Sequence, residues 1–354
     1  MTQPSAARAT QTANPTVKRA IVPITGLDVD SPGRRDYFVS FEHPTLWGSY
    51  LVPVTVFVGP EATPGQGLVA IGSTHGNECE GPVGIKRLLQ DITQADVRGR
   101  IIMIPTLNVA AFAAGTRDTP EDGANLNRVF PGDPKGTITE RFADFIQTRI
   151  FPHVHVVLDL HSATNAFDFA LVSSFHYVAD KVQQRKMEET ARGFGTRFVM
   201  VYQNDTPGLL TSTAERMGKI TIGTELGWGC TVCPEGVSMG MQGVLTAAVQ
   251  HGQLRGNVPP NRHYRREEQI LIDNSDHGCY VHATRAGLYE PRVNVGDLVA
   301  PNDLIGVLHD FDAIDAPGEE IRAPHRGYIL CQVRARVMRG QVLSVVSVPK
   351  PWME

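Results

Sequence analysis

The sequence predicts an α/β protein, a sheet flanked by helices, followed by a smaller all-β domain. Gly67-Leu68-Val69-Ala70-Ile71 has the apolar, β-branched character of a buried strand. An amphipathic stretch then opens at Gly84-Ile85-Lys86-Arg87-Leu88-Leu89-Gln90, and Gly99-Arg100-Ile101-Ile102-Met103-Ile104-Pro105 is a second apolar run. Strand, helix and strand in that order form a βαβ unit and imply parallel strands. After about Pro260 the texture changes to strand after short strand. At 354 residues the chain exceeds one ordinary domain, which leaves room for both parts.

Composition narrows the function classes. Apolar residues make up 42%, charged residues 20%, and 34 glycines supply many turns, as in a globular protein. A formal net charge of −4 leaves no footprint for nucleic acid or an anionic membrane. No apolar segment reaches the roughly 18 residues a membrane span needs, and the first residues lack a signal-peptide core. Five cysteines, an odd count, make no disulfide framework and suit a reducing cytoplasm.

In chain order, Met1 to about Thr16 is rich in Ala, Thr, Gln and Pro and reads as a flexible lead-in. Ile21–Ile24, Tyr37–Phe41 and Val52–Val58 are strand candidates separated by turns, and Gly59–Gly67 is a loop. The βαβ unit follows. At its first turn stands Ser73-Thr74-His75-Gly76-Asn77-Glu78-Cys79-Glu80, so His75 and Glu78 sit where a strand ends and a helix begins. Ligands bind beyond the strand ends of open α/β sheets, and zinc accepts a mixed imidazole and carboxylate set. Alone, a His-x-x-Glu pair arises often by chance.

Thr106 to Asp133 is too long and polar for an ordinary connection, and such loops are usually functional or disordered. It carries Arg117 and the run Asn125-Leu126-Asn127-Arg128-Val129-Phe130-Pro131-Gly132. Its guanidinium forks could grip a carboxylate, although on these residues alone a solvated loop is the better reading. Thr139 to Ile150 has helical spacing. Val154–Ser162 is then a central strand that places His161 at its C-terminal end, with Asp159 on the same face to hold an imidazole tautomer. His153 and His155 on that strand read as structural or exposed. Two histidines and one glutamate from two strand ends give three ligands and an open fourth position, the pattern of a catalytic zinc site. Such a site needs a general base. Glu225 fits, because Ile220–Gly229 is another β-branched run ending in a carboxylate among glycines; by itself it is equally a turn carboxylate.

The ordered set resembles the succinylglutamate desuccinylase/aspartoacylase family. His75-Gly-Asn-Glu78, Asn127-Arg128 within Leu-Asn-Arg-x-Phe-Pro-Gly, the Asp-Leu-His161 strand end and the Thr-Glu225-Leu-Gly strand end occur in the family's order, across about residues 50 to 350. The resemblance implies a zinc carboxypeptidase-like mixed sheet flanked by helices, and hydrolysis of an N-acyl group from an amino acid. It implies one zinc ion on His75, Glu78 and His161, a general base at Glu225, and substrate-orienting roles for Arg117, Asn127 and Arg128. Asn125 departs from the aspartate the family usually has before Leu-Asn-Arg, so it is left outside the site. The spacing from Arg117 to Asn127 is also somewhat longer. The wording His-Gly-Asn-Glu-x-Glu-Gly-Pro resembles the branch that includes N-α-acetyl-diaminobutyrate deacetylases of ectoine breakdown. Alternatives are an N-succinylglutamate or N-acetylaspartate type of deacylase, a zinc carboxypeptidase, and a non-catalytic zinc-binding protein. The implied partner is a small N-acyl amino acid, and a homo-oligomer is the expectation for such enzymes.

Cys230-Thr-Val-Cys233 has no second Cys-x-x-Cys, so its thiols read as loop residues near the pocket mouth. No glycine-rich nucleotide motif follows a strand. Asn257–Arg262 reads as a linker, dividing a catalytic domain over 17–260 from a β domain over 261–354. Gly287–Val299 and Ile321–Leu330 resemble the half-repeats of a biotinyl/lipoyl barrel. Lys350 is the only lysine after Pro260, so the modified hairpin lysine has no counterpart and the module reads as structural.

Overall fold

The computed structural model describes residues 19–43, 47–203, 207–313, 315–334 and 336–353; the expected lead-in over 1–16 lies outside them. The described chain opens with β1 (Ala20–Pro23), β2 (Gly33–Glu42) and β3 (Ser49–Val58), at the three places where the sequence predicts extended structure. β2 and β3 pair antiparallel from Gly33 opposite Val58 to Glu42 opposite Ser49. Along β2 the side chains of Tyr37, Val39 and Phe41 are buried and those between are not, the alternation of a strand with one face on the core.

β4 (Gly67–Gly72) is buried at every residue, which explains its unbroken apolar run. α1 (Glu80–Asp91) follows, and β5 (Arg100–Ile104) returns parallel to β4, completing the βαβ unit. The helix begins before the expected Gly84. Pro82 lies in its first turn, where a missing N–H costs nothing, and the Glu80 carboxylate there favours the helix dipole.

The long connection after β5 is not structureless. It holds α2 (Val109–Ala114), capped by Asn108 and ended by Gly115 in the left-handed region, and a short 3₁₀ turn over Leu126–Arg128. A helix that brief has too few residues to show a periodic apolar face. α3 (Ile138–Phe145) starts with a Thr137–Glu140 capping box. β6 (Val154–Leu160) is buried at every position but His155. Then come β7 (Phe167–Phe169), β8 (Val172–His176), α4 (Lys181–Arg192), β9 (Phe198–Tyr202), α5 (Leu210–Arg216), β10 (Ile220–Glu225) and α6 (Pro234–Gln250).

β5, β4, β6 and β10 lie side by side and parallel, so their C-terminal ends share one edge of the sheet. β3 and β8 flank them antiparallel, which makes the sheet mixed. One face packs under α3 and α5 through Phe142, Phe145, Leu210 and Ala214. The other packs under α1, α4 and α6 through Ile85, Leu88, Met187, Met239 and Val244. No helix among the described residues is long and apolar enough to cross a membrane.

Beyond residue 260 the chain adds β11 (Ile270–Asp273), β12 (Tyr280–His282), β13 (Gly287–Pro291), β14 (Leu298–Val299), β15 (Leu304–His309), β16 (Glu319–Arg322), β17 (Gly327–Val333), β18 (Arg336–Val337) and β19 (Val342–Lys350). β16, β15, β13 and β18 form a separate antiparallel sheet over a core of Tyr289, Ile305, Leu308 and Ile321. β11 pairs with β9, β19 with β11, and β17 with β19, so the large sheet runs on into the C-terminal part. β17 also pairs with β7, with Cys331 opposite Phe169 and Val333 opposite Phe167.

Candidate functional site

The site is assembled at the shared C-terminal edge of β4, β6 and β10. β4 stops at Gly72, and Ser73 turns the chain with a φ of 56° while fully buried, a backbone state that non-glycine residues adopt at a cost and that concentrates at functional sites. Thr74 donates from Oγ1 to Asp159 Oδ1 at 2.6 Å, tying the end of β4 to β6. Gly76 lies so close to α2 that a Cβ would come within 2.0 Å of the Ala111 carbonyl carbon, so only glycine fits there. The Glu78 amide donates back to the His75 carbonyl at 3.3 Å, and this turn brings both side chains to one side.

The three predicted ligands converge. Nδ1 of His75 lies 2.8 Å from Glu78 Oε1, and Nδ1 of His161 lies 2.7 Å from Glu78 Oε2. One ligand atom from each of the three residues lies within 4.8 Å of the others. The Ser162 amide donates to Glu78 Oε2 at 3.1 Å. On the far side of the rings, His161 Nε2 lies 2.8 Å from Asp159 Oδ2, and His75 Nε2 lies 3.1 Å from Asn125 Oδ1. Burial alone would raise the Glu78 carboxyl, but the imidazoles of His161 and His75 hold it well below the usual carboxylate range. Burial would likewise lower His161, and the carboxylates of Asp159 and Glu78 outweigh it and raise the imidazole well above its ordinary value. These residues fit a zinc ion. Both imidazoles turn Nδ1 toward a shared buried carboxylate and keep an outer partner on Nε2, as zinc-binding histidines do.

Glu225 ends β10, and its Oε2 is buried with no hydrogen-bond partner. Burial, followed by the negative charge of Glu78, pushes its carboxyl up to about 8 against the pull of His161 and Arg117. It lines a cavity of about 280 Å³ together with His75, Glu78, His161, Arg117, Asn127 and Arg128. All seven predicted residues therefore meet in one place. Arg117 Nη1 is 3.2 Å from Glu78 Oε1. Asn127 is buried; its Oδ1 accepts from the Leu210 amide at 2.8 Å and its Nδ2 lies 3.3 Å from His161 Nε2. Arg128 is exposed and donates from Nη1 to the Asn127 carbonyl at 2.6 Å.

Asp159 stands behind His161 as the sequence suggests. Asn125, which the sequence reading leaves outside the site, is in contact with His75. Phe167 and Phe169 of β7, together with Ser174, Met200 and Tyr202, also line the cavity. No spacing in the sequence marks these: Phe167 and Phe169 are placed by β7 pairing with the distant β17, and Ser174, Met200 and Tyr202 by the pairing of β10, β8 and β9. Glu80 is fully buried and accepts from Ser162 Oγ and the Cys233 amide, so it braces the loops around His161 and α6. A Cβ on Gly227 would lie 2.1 Å from Glu80 Oε1, which explains the glycine after Leu226. His153 sits 3.5 Å from Asp30 and His155 packs on His251, both outside this cavity. Cys230 is exposed, and Cys233 caps α6 with its sulfur.

The family model described as succinylglutamate desuccinylase/aspartoacylase catalytic domain matches residues 64–249. An N-alpha-acetyl-L-2,4-diaminobutyric acid deacetylase of Halomonas elongata is 35% identical over 306 residues, which cover 86% of this chain and 87% of that protein. The product-bound structure of the ectoine utilization protein EutE (DoeB) from Ruegeria pomeroyi has a TM-score of 0.83 at 30% identity, covering 91% of this chain and 98% of that one. A succinylglutamate desuccinylase/aspartoacylase from Rhodobacter sphaeroides has a TM-score of 0.84 at 30% identity, covering 92% and 98%. With the family model spanning over half the chain and a relative this similar along most of its length, the chain belongs to the succinylglutamate desuccinylase/aspartoacylase family.

Proposed function

We propose that this protein is a zinc-dependent amidohydrolase that removes an acetyl group from the α-nitrogen of an amino acid, with N-α-acetyl-L-2,4-diaminobutyrate as its substrate. The observation that carries the reading is one buried carboxylate, Glu78, shared by two imidazoles, with the unpartnered carboxylate of Glu225 in the same cavity. The deacetylase name of the 35% identical relative supports the choice of acyl group and amino acid.

His75, Glu78 and His161 would hold the metal. When bound, zinc supplies Lewis acidity that makes a water molecule a competent nucleophile near neutral pH. The Glu78 charge that helps keep Glu225 protonated would be offset by a bound cation, and the ionised Glu225 takes the proton of that water at its free Oε2 as the oxygen attacks the acyl carbonyl. The guanidinium of Arg117 faces the negative charge that develops on the former carbonyl oxygen. As the C–N bond breaks, Glu225 gives the proton to the leaving nitrogen, and acetate and the free amine are the products. Asn127 and Arg128 hold the α-carboxylate, a charge-assisted contact that orients the amide toward Glu225. Residues 17–260 then act as the catalytic domain, and the β domain over 261–354 supports the cavity wall through β17.

The test is a panel of N-acetyl and N-succinyl amino acids scored by released amine, with zinc added and after chelation. The expected result is zinc-dependent release from N-acetyl-diaminobutyrate, with N-succinyl substrates at least about tenfold slower. No release from any member with zinc bound would overturn the reading.

A further inference from the structure

The two imidazoles at the candidate metal centre have unequal outer partners. His161 Nε2 lies 2.8 Å from the carboxylate of Asp159, and that carboxylate is fixed by Thr74. His75 Nε2 lies 3.1 Å from Oδ1 of Asn125. The same Oδ1 accepts from the Asn127 backbone amide at 2.9 Å. An amide N–H only donates, so it selects the oxygen of the Asn125 carboxamide and excludes the NH₂ group. With a metal ion held at the site, the acceptor facing Nε2 keeps the proton there and frees the Nδ1 lone pair, beside Glu78, for the metal. One neutral oxygen therefore fixes the tautomer of His75 and also caps the 3₁₀ turn over Leu126–Arg128 that carries Asn127 and Arg128.

The geometry points to Asn125 as the positioning residue that joins the metal ligand His75 to the substrate-holding turn, and as a neutral partner that keeps His75 a weaker zinc ligand than His161. A carboxylate behind a ligating imidazole raises its basicity, a carboxamide does so much less, and outer partners of this kind change metal affinity by about 10–100-fold. The inference rests on the metal-site reading given above.

Zinc affinity of the full-length metal-free protein, titrated with Zn²⁺ against a chromophoric chelator, tests it in three variants. His75→Ala is the reference and should lose zinc binding. Asn125→Ala should bind zinc about tenfold or more weakly and raise KM, because the turn loses its cap. Asn125→Asp keeps both acceptor contacts and adds charge, so it should bind zinc more tightly than the parent, by at least about threefold. A merely structural role cannot produce that gain. Zinc affinity in Asn125→Asp no higher than in the parent, while His75→Ala has lost the metal, overturns the inference alone. Zinc affinity unchanged in His75→Ala overturns the metal-site reading and this inference with it. If Asn125→Ala does not fold, the Asn125→Asp comparison decides.

Discussion

Nδ1 of His161 lies 2.7 Å from Oε2 of Glu78, although the two residues stand 83 positions apart. β4 and β6 are neighbouring parallel strands, so their C-terminal ends open on the same crevice and two unrelated turns meet there. Glu78 is the hub, since both imidazoles and Arg117 reach it. Glu78→Gln keeps the shape and removes the charge that draws a cation. We expect zinc affinity to fall by at least about 100-fold and turnover to follow it, read by metal content after dialysis and by amine release. One equivalent of zinc retained in that variant would remove Glu78 from the ligand set.

Glu225 stands apart from that hub, with an unpartnered Oε2. Glu225→Gln should keep the full metal content while kcat falls by about 10²–10⁴, the span typical of a lost general acid–base group. KM should change little, because Arg128 and Asn127 are untouched. A variant within tenfold of the parent kcat would take proton transfer away from this residue.

Arg117 and Arg128 enter the same cavity differently. Arg128 is exposed and its contact with the Asn127 carbonyl leaves most of its donors to a ligand. A charge-assisted hydrogen bond contributes about 1.5–3 kcal/mol, so Arg128→Ala should raise KM by about 10–100-fold with kcat nearly held. Arg117 lies against Glu78, so on the proposed mechanism Arg117→Ala should lower kcat more than it raises KM. Steady-state kinetics on the two variants separate the roles; equal effects on kcat in both would contradict the assignment.

The cavity wall depends on a strand pairing that spans the chain. β7 places Phe167 and Phe169 along the cavity while β17 holds it through the Cys331–Phe169 and Val333–Phe167 pairs, with the Ala170 amide donating to the Leu330 carbonyl at 2.9 Å. Removing one ring would widen the cavity along β7. Phe169→Ala should therefore improve bulkier N-acyl substrates relative to acetyl by about tenfold in kcat/KM, the scale of a few methylene groups in an apolar pocket. An unchanged ratio would mean the acyl group does not approach β7.

These residues also show what the sequence could reveal. His75, Glu78, His161 and Glu225 were legible because each follows a short apolar strand, and the C-terminal ends of parallel strands converge whatever the intervening chain does. Asp159 was legible from strand period, two residues before His161. The contact of Asn125 with His75 is not legible from residue type, which reports charge, whereas the contact needs only an oxygen. Phe167 and Phe169 were invisible because three residues make no periodic signal and their register is set by β17, more than 150 positions later. α2 leaves no periodic signal either: six residues show less than two turns of pattern.

His251 offers a test of stability that is independent of the site. Its Nε2 lies 2.9 Å from Thr190 Oγ1, which itself donates to the Lys186 carbonyl, so Nε2 is the donor in this contact. Burial first, then the neighbouring His155 and Lys186, lower it from 6.5 to about 4. The unfolded chain therefore takes up a proton between about pH 6.5 and 4 that the folded chain refuses. Stability from this residue is complete above 6.5 and is lost as pH falls through that window, at no more than about 1.4 kcal/mol per unit. His251→Gln keeps a donor for Thr190 and does not titrate. In the metal-free protein, the parent should lose more of its Tm than this variant between pH 7 and 5. Identical losses in the two proteins would show that His251 takes up its proton as readily folded as unfolded.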